Sequence, residues 1–259
     1  MGSRLVLSSI MLLTVSLSTL AEPVAGKSND KTPAPRVKRI LLVTGQDYPG
    51  HKWRETAPVL AKASGEDGRM AVTVTENPGD LAKPELRDYD AVVLHFMNWE
   101  QPDPGPAARE NLKTFVEGGR GLVLVHFACG AFQEWPEFRN LAGRSYDPKL
   151  RPHDPFGSFT VTITDTKHSI TKGMANFTTT DELYTCLAGD RPIEVLATAR
   201  SVVDGKDYPM AFSLNYGAGR VFHSPLGHDA PALANPAVGA LFRRGCAWAV
   251  GLEAAAPEK

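Results

Sequence analysis

The chain has 259 residues and a nearly neutral balance, with 28 Lys and Arg against 29 Asp and Glu. It lacks the basic stripe with which proteins displace counterions from nucleic acid, and no block of like charge marks a membrane surface. Three cysteines, Cys129, Cys186 and Cys246, form no CxxC pair and no disulfide framework. One pair could bridge in an exported protein, or all three could be free and buried.

Met1 to Arg4 is a short basic start, Leu5 to Leu20 is apolar, and Thr19-Leu20-Ala21 offers small residues for signal peptidase. Residues 1–21 therefore read as a signal peptide, which implies a periplasmic or extracellular protein. The apolar stretch is short against the roughly 20 residues of a bilayer span, the alternative being an uncleaved anchor. No membrane span is expected once the signal is removed. Residues 22–36 are polar and proline-rich, too poor in large apolar groups to offset their ordering entropy, and read as a disordered leader. Residues 37–251 suffice for one domain with a full core, leaving 252–259 as a flexible tail.

Within that domain Lys38–Thr44 reads as a strand, Lys52–Ser64 as a helix, Met70–Thr75 and Tyr89–His95 as strands, Ala107–Glu117 as a helix and Gly121–His126 as a strand. Unbroken apolar strands alternating with helical periods indicate a mostly parallel sheet covered on both faces, the doubly wound α/β fold. Phe132, Trp135, Phe138 and Leu141 carry a helical step weakened by Pro136, and residues 144–157 form a polar loop with three prolines. The second half reads as antiparallel additions: strands at Ser158–Thr164, Ile193–Ala199, Met210–Asn215 and Arg220–His223, then a closing helix ending near Val250.

Three apolar runs end in histidine, at His95, His126 and His223. If they are neighbouring strands, their carboxyl ends share the rim where such sheets bind ligands. Gly118 to Phe138 has the strand, turn and helix layout of a nucleophile elbow, with His126 in its turn and neither G-x-S-x-G nor G-x-C-x-G present. His126 belongs either to the pocket or to the core, and Cys129 would need a depressed pKa to act as a nucleophile. Asp181 and Glu182 are adjacent carboxylates that would face opposite ways on an extended segment, so only one enters a pocket; a helix-capping role is the alternative. Gly227 permits a bend that aims His228 at the same rim. Together with His126 and His153, His223 and His228 could bind a divalent transition metal such as zinc, although no H-E-x-x-H or H-x-H spacing is present. His51, with Tyr48 and Trp53, and His95, with Trp99, stand on loops at strand ends suited to substrate contact, and Tyr184 could stack on a sugar ring or simply pack.

GLVLVH with its aromatic helix, then HDPFGSF, HSITKGM, DELY and GRVFHSPLGHD, follow the order seen in the ThuA-like proteins, named from trehalose utilisation. The chain resembles that family from about Val37 to Gly251. The resemblance implies a class I glutamine amidotransferase-like, flavodoxin-like α/β fold without the Cys-His-Glu triad, and a carbohydrate as the small-molecule partner. It also implies a catabolic role on a glycoside or oxidised (3-keto) sugar, by hydrolysis or elimination. On that reading His126, His228, Asp181 and Glu182 are the catalytic candidates, with His126 and His228 as metal ligands. His51, His95, Trp99, His153, Tyr184 and His223 are the substrate contacts. The alternative is a non-catalytic sugar-binding or accessory module that kept the scaffold and lost its nucleophile.

Overall fold

Continuous apolar runs such as Ile40 to Val43 and Leu122 to Val125 are buried along their whole length, as strands covered on both faces must be. The computed structural model describes residues 1–2, 36–46 and 48–253. The expected signal peptide from residue 3 onward and the leader as far as Pro35 lie outside the described residues, as does the end of the tail. Within the tail, Leu252 packs against the core and its N–H donates to the carbonyl of Ala247 at 2.8 Å.

In chain order the elements are β1 (Lys38–Val43), α1 (Trp53–Gly65), β2 (Met70–Thr75), β3 (Ala91–Leu94), α2 (Pro106–Glu117), β4 (Gly121–Val125), α3 (Pro136–Ala142) and β5 (Ser145–Tyr146). There follow β6 (Gly157–Ile163), β7 (Phe177–Asp181), β8 (Leu187–Ala188), β9 (Glu194–Arg200), β10 (Asp207–Tyr216), β11 (Gly219–Ser224), α4 (Ala230–Ala234) and α5 (Pro236–Ala249). Nine strands form one sheet in the order β2-β1-β3-β4-β11-β10-β9-β6-β7, and β5 pairs with β8 separately. The strands from β2 to β11 in that order are parallel, and β10, β9, β6 and β7 continue the sheet antiparallel.

Side-chain alternation divides the core between the two faces. Ile40, Leu42, Val93, Val123 and Phe222 pack with α1, α4 and α5 residues such as Leu60, Leu233 and Phe242. Leu41, Val43, Val92, Leu94 and Leu122 pack with Leu112 and Phe115 of α2 and with Phe138 and Leu141 of α3. Each fully buried Leu or Phe contributes roughly 1.5–3 kcal/mol of transfer free energy. Because β1, β3, β4 and β11 run parallel, the loops after them open on one rim, and the chain reverses its winding between β1 and β3.

Three details differ from the sequence expectation. Pro136 opens α3 at its first position, where a missing N–H costs nothing, so the aromatic steps from Phe132 span a turn before the helix. The loop after α3 is strapped down by β5 against β8 and by a bridge between His153 and Tyr184. Strand β7 carries the run FTTTD, too polar to show an apolar period, and Asp181 closes it in place of starting a helix.

Candidate active site

Strand β4 ends at Val125, and the next residue, His126, has φ +44°, a left-handed conformation that non-glycine residues rarely adopt. Such strain fits a turn held by its surroundings at a functional position. It takes the imidazole out of the pleat of β4. Nδ1 lies 2.7 Å from the carbonyl oxygen of Pro225, which can only accept, so His126 carries its N–H there and turns Nε2 the other way. The hydroxyl of Tyr184 donates to Nε2 at 3.0 Å.

His51 ends the loop after β1 and stacks on Phe127 with ring centroids 4.7 Å apart. Its Nδ1 is buried without a hydrogen-bond partner among the described residues. His228 follows Gly227, whose φ of +108° and whose missing Cβ, 2.7 Å from a Leu233 carbon if present, make glycine necessary at the bend. The three imidazole centroids form a triangle of 5.1, 5.3 and 5.5 Å between His51 and His126, His51 and His228, and His126 and His228. Glu182, brought in by the end of β7, places Oε2 at 3.2 Å from His228 Nδ1, 3.5 Å from His126 Nε2 and 4.0 Å from His51 Nε2. On its other side Oε1 is 3.6 Å from Nε2 of His153. His153 donates Nδ1–H to the carbonyl of Asp154 at 2.6 Å, so it too presents Nε2 to the carboxylate.

Asp181 points away from the cavity and is fully buried. It accepts N–H bonds from Glu182 at 2.8 Å, Gly227 at 2.7 Å and His228 at 3.1 Å. One carboxylate therefore fixes the backbone on both sides of the cluster and ties the edge strand β7 to the segment after β11.

The charges follow from this packing. Burial pushes the His51 pKa down, repulsion from His126 and His228 adds to it, and Glu182 opposes; the value falls to about 2, which leaves His51 neutral. For Glu182 burial works upward, but the facing imidazoles of His126 and His228 outweigh it and hold the carboxyl below its usual range. The Glu182 carboxylate raises the His228 pKa against the opposing effect of burial. Burial raises Asp181, partly offset by His126 and the three N–H donors. Tyr184 is pushed far up by burial and stays a hydroxyl donor.

His51, His126, Glu182 and His228 each offer a ligand atom, and these atoms lie within 4.8 Å of one another. A tetrahedral zinc about 2.1 Å from each donor would set neighbouring donors roughly 3.4 Å apart. The Glu182 contacts with His228 and His126 already have that spacing, while His51 stands slightly beyond it. With Nδ1–H committed to backbone carbonyls, His126 and His153 both present Nε2 to the Glu182 carboxylate, an arrangement of donor atoms that a cation among them would satisfy. The residues present thus fit a divalent cation held by imidazole and one carboxylate.

This cluster meets a cavity of about 280 Å³ lined by Tyr48, His51, Met97, Trp99, His153 and Glu182, among others. A model of the ThuA family, described as trehalose utilisation, matches residues 39–249. The chain belongs to the ThuA family. Among solved structures it is similar to a ThuA-like protein from Parabacteroides merdae, at 24% identity and a TM-score of 0.73 over 83% of this chain and 91% of that one. A ThuA-like protein from Bacteroides uniformis gives 20% identity and 0.68 over 86% and 95%, and a cytoplasmic protein from Salmonella typhimurium 14% and 0.61 over 82% and 99%. At these identities the solved structures speak for the shared fold. The sequence matches none of the curated proteins with which it was compared.

Within this ThuA-family site the structure brings together His51, His126, His153, Glu182, Tyr184 and His228, with Trp99 on the cavity wall. Two expected substrate contacts require correction. His95 is sealed in the core, its Nδ1 3.0 Å from the Thr44 hydroxyl and its Nε2 3.1 Å from the Thr56 hydroxyl, and burial lowers its pKa to about 3. His223 stands within β11 opposite Phe212, and its Nδ1 donates to the carbonyl of Ala142 at 3.3 Å. The pleat turns it toward α3 and away from the cavity. Asp181 supports the site from behind and does not line it. All three cysteines are free and buried, and burial together with Cys186 pushes the Cys129 thiol well up, which removes the thiolate route. Met97, Phe127 and Tyr146, not singled out from sequence, belong to the wall together with Cys186.

Proposed function

We propose that this ThuA-family chain is an exported, metal-assisted enzyme of carbohydrate breakdown that cleaves a glycoside or 3-keto sugar derivative by hydrolysis or elimination. The observation that carries this reading is the convergence of His51, His126, His228 and Glu182, with ligand atoms within 4.8 Å of one another, beside a cavity of about 280 Å³. A cavity at the small end of ligand sites, roughly 300–1,000 Å³, suits a single sugar ring. Export rests on the sequence of residues 1–21. No helix among the described residues is long and apolar enough to cross a membrane.

His51, His126, His228 and Glu182 would hold the ion, which when bound would polarise a carbonyl or acidify a water. His153, about a third exposed and 3.6 Å from Glu182, is placed to carry a proton between the cavity and solvent. Tyr184 donates a hydrogen bond to His126 Nε2, and its hydroxyl would be available to the substrate if that nitrogen held the ion. Trp99, Tyr48 and Tyr146 supply apolar surfaces for the faces of a sugar.

One observation favours a binding module without catalysis: the elbow after β4 carries His126 in place of a nucleophile, and the nearby Cys129 is held as a thiol. A single set of measurements separates the two readings. Purified protein is analysed for bound metal and assayed against trehalose-type disaccharides and their 3-keto forms. The expected result is a stoichiometric transition metal and turnover that disappears in His126→Ala and His228→Ala. Sugar binding without product in the metal-loaded protein would select the module.

A further inference from the structure

A second cavity, about 400 Å³, adjoins the first and shares two of its walls, Trp99 and Tyr146. The two rings lie with centroids 4.6 Å apart, so the aromatic pair is a partition with one compartment on either side. The inner compartment holds the imidazoles and Glu182. The outer one is bordered by Gln101, Gln133 and Glu134, which are exposed and have no side-chain hydrogen bond or ion pair among the described residues.

The partition is built rather than incidental. Trp99 is 41% exposed, an unusual cost for the largest side chain, yet its indole N–H donates to the carbonyl of Gly130 at 3.1 Å. Gly130 allows that approach, since a Cβ there would stand 2.9 Å from the indole nitrogen. The outer wall is anchored in a similar way. Phe132 has φ +50°, and with His126 it is one of two non-glycine residues in the left-handed region among the described residues. Its N–H donates to Asn98 Oδ1 at 2.9 Å, which fixes the backbone that presents Gln133 and Glu134. Backbone strain thus borders both compartments. Side-chain amides and a carboxylate, ready to bond vicinal hydroxyls, beside the edge of a pinned aromatic pair are what a pyranose ring requires. A nucleotide or other anion would be repelled by Glu134.

We propose that the outer cavity is a second sugar subsite, so that the substrate is a disaccharide whose reacting ring sits in the inner cavity and whose other ring rests against Gln133 and Glu134. This rests on the reading that the inner site works on a sugar. The test is calorimetric binding of trehalose against methyl α-glucopyranoside, and of their 3-keto forms against each other, to the wild type and to the double variant Gln133→Ala/Glu134→Ala. The subsite predicts that the disaccharide of at least one pair binds tenfold or more tightly than its methyl glycoside. It also predicts that the variant narrows that gap to under twofold while the methyl glycoside keeps its affinity. A gap that is absent, one that survives in the variant, or the absence of binding by any of the four sugars overturns the proposal. Product formation is followed separately in the same samples: binding with the predicted gap but no product would sink the proposed reaction and leave the subsite standing.

Discussion

His126, just past β4, and His223, near the end of the neighbouring parallel strand β11, are both buried, yet one joins the imidazole and Glu182 cluster beside the cavity and the other packs toward α3. The difference lies in one backbone angle. His126 follows the last residue of β4 and leaves the pleat at φ +44°, whereas His223 stays in register opposite Phe212 and its side chain goes where the pleat sends it. His95 shows a third outcome: it has left β3, but hydroxyls of Thr44 and Thr56 occupy both ring nitrogens. A strand-end position brings a histidine to the rim, and departure from the pleat with a nitrogen facing Glu182 makes it available for chemistry.

The sharpest way to break this comparison is to exchange the two fates. His126→Ala and Glu182→Gln should each reduce bound metal well below stoichiometry and lower turnover by about 10³-fold, the scale of losing a group in direct contact with the reacting centre. His223→Leu should keep both metal and turnover, as read by elemental mass spectrometry and steady-state rates. Equal losses in all three would erase the distinction.

Next in size is the carboxylate behind the site. Asp181→Ala leaves the N–H groups of Glu182, Gly227 and His228 without their acceptor, and should cost about 3 kcal/mol in denaturant unfolding. Metal affinity should fall with it, because the backbone presenting two candidate ligands loosens.

The buried pair should also reveal itself in acid. Burial lowers the folded pKa of His95 to about 3 and of His223 to about 4, so both rings stay neutral while the unfolded chain takes up protons near 6.5. Folded pKa values below the unfolded one mean stability that is complete above pH 6.5 and declines as pH falls toward those values. Between pH 7 and pH 5 each ring should account for about 2 kcal/mol of lost unfolding free energy. His223→Leu should remove one such share from the profile; an unchanged slope would show that this ring is not neutral in the fold.

A smaller effect belongs to the partition. Gly130→Ala forces Trp99 or Met97 to move and should cost about 1–2 kcal/mol, with a shift in tryptophan emission. Unaltered fluorescence would show that the indole is not held as described.

Much of the fold was legible because it is written in local pattern. Strands such as Ile40–Val43 and Leu122–Val125, buried on both faces, need uninterrupted apolar residues, and their alternation with helical periods implies a parallel sheet. β7 was not legible, since FTTTD gains its place from pairing with β6 and from the bonds that Asp181 accepts. The opposite facing of Asp181 and Glu182 was readable from extended geometry, but the carboxylate that enters the cavity was a matter of which face β7 presents. For the histidines, residue type and strand-end position were visible while ring direction was not, so His51 read as a substrate contact although it stands among the candidate metal donors.

The amino-acid order alone determined the α/β architecture, the family and the concentration of histidines at strand ends, because periodicity and motif order act over short stretches of chain. Tertiary structure decided which imidazoles share a carboxylate, that a far edge strand delivers it, and that an aromatic pair divides two cavities. Those outcomes depend on backbone angles at single residues and on contacts such as Tyr184 with His126, 58 positions apart, which no local pattern encodes.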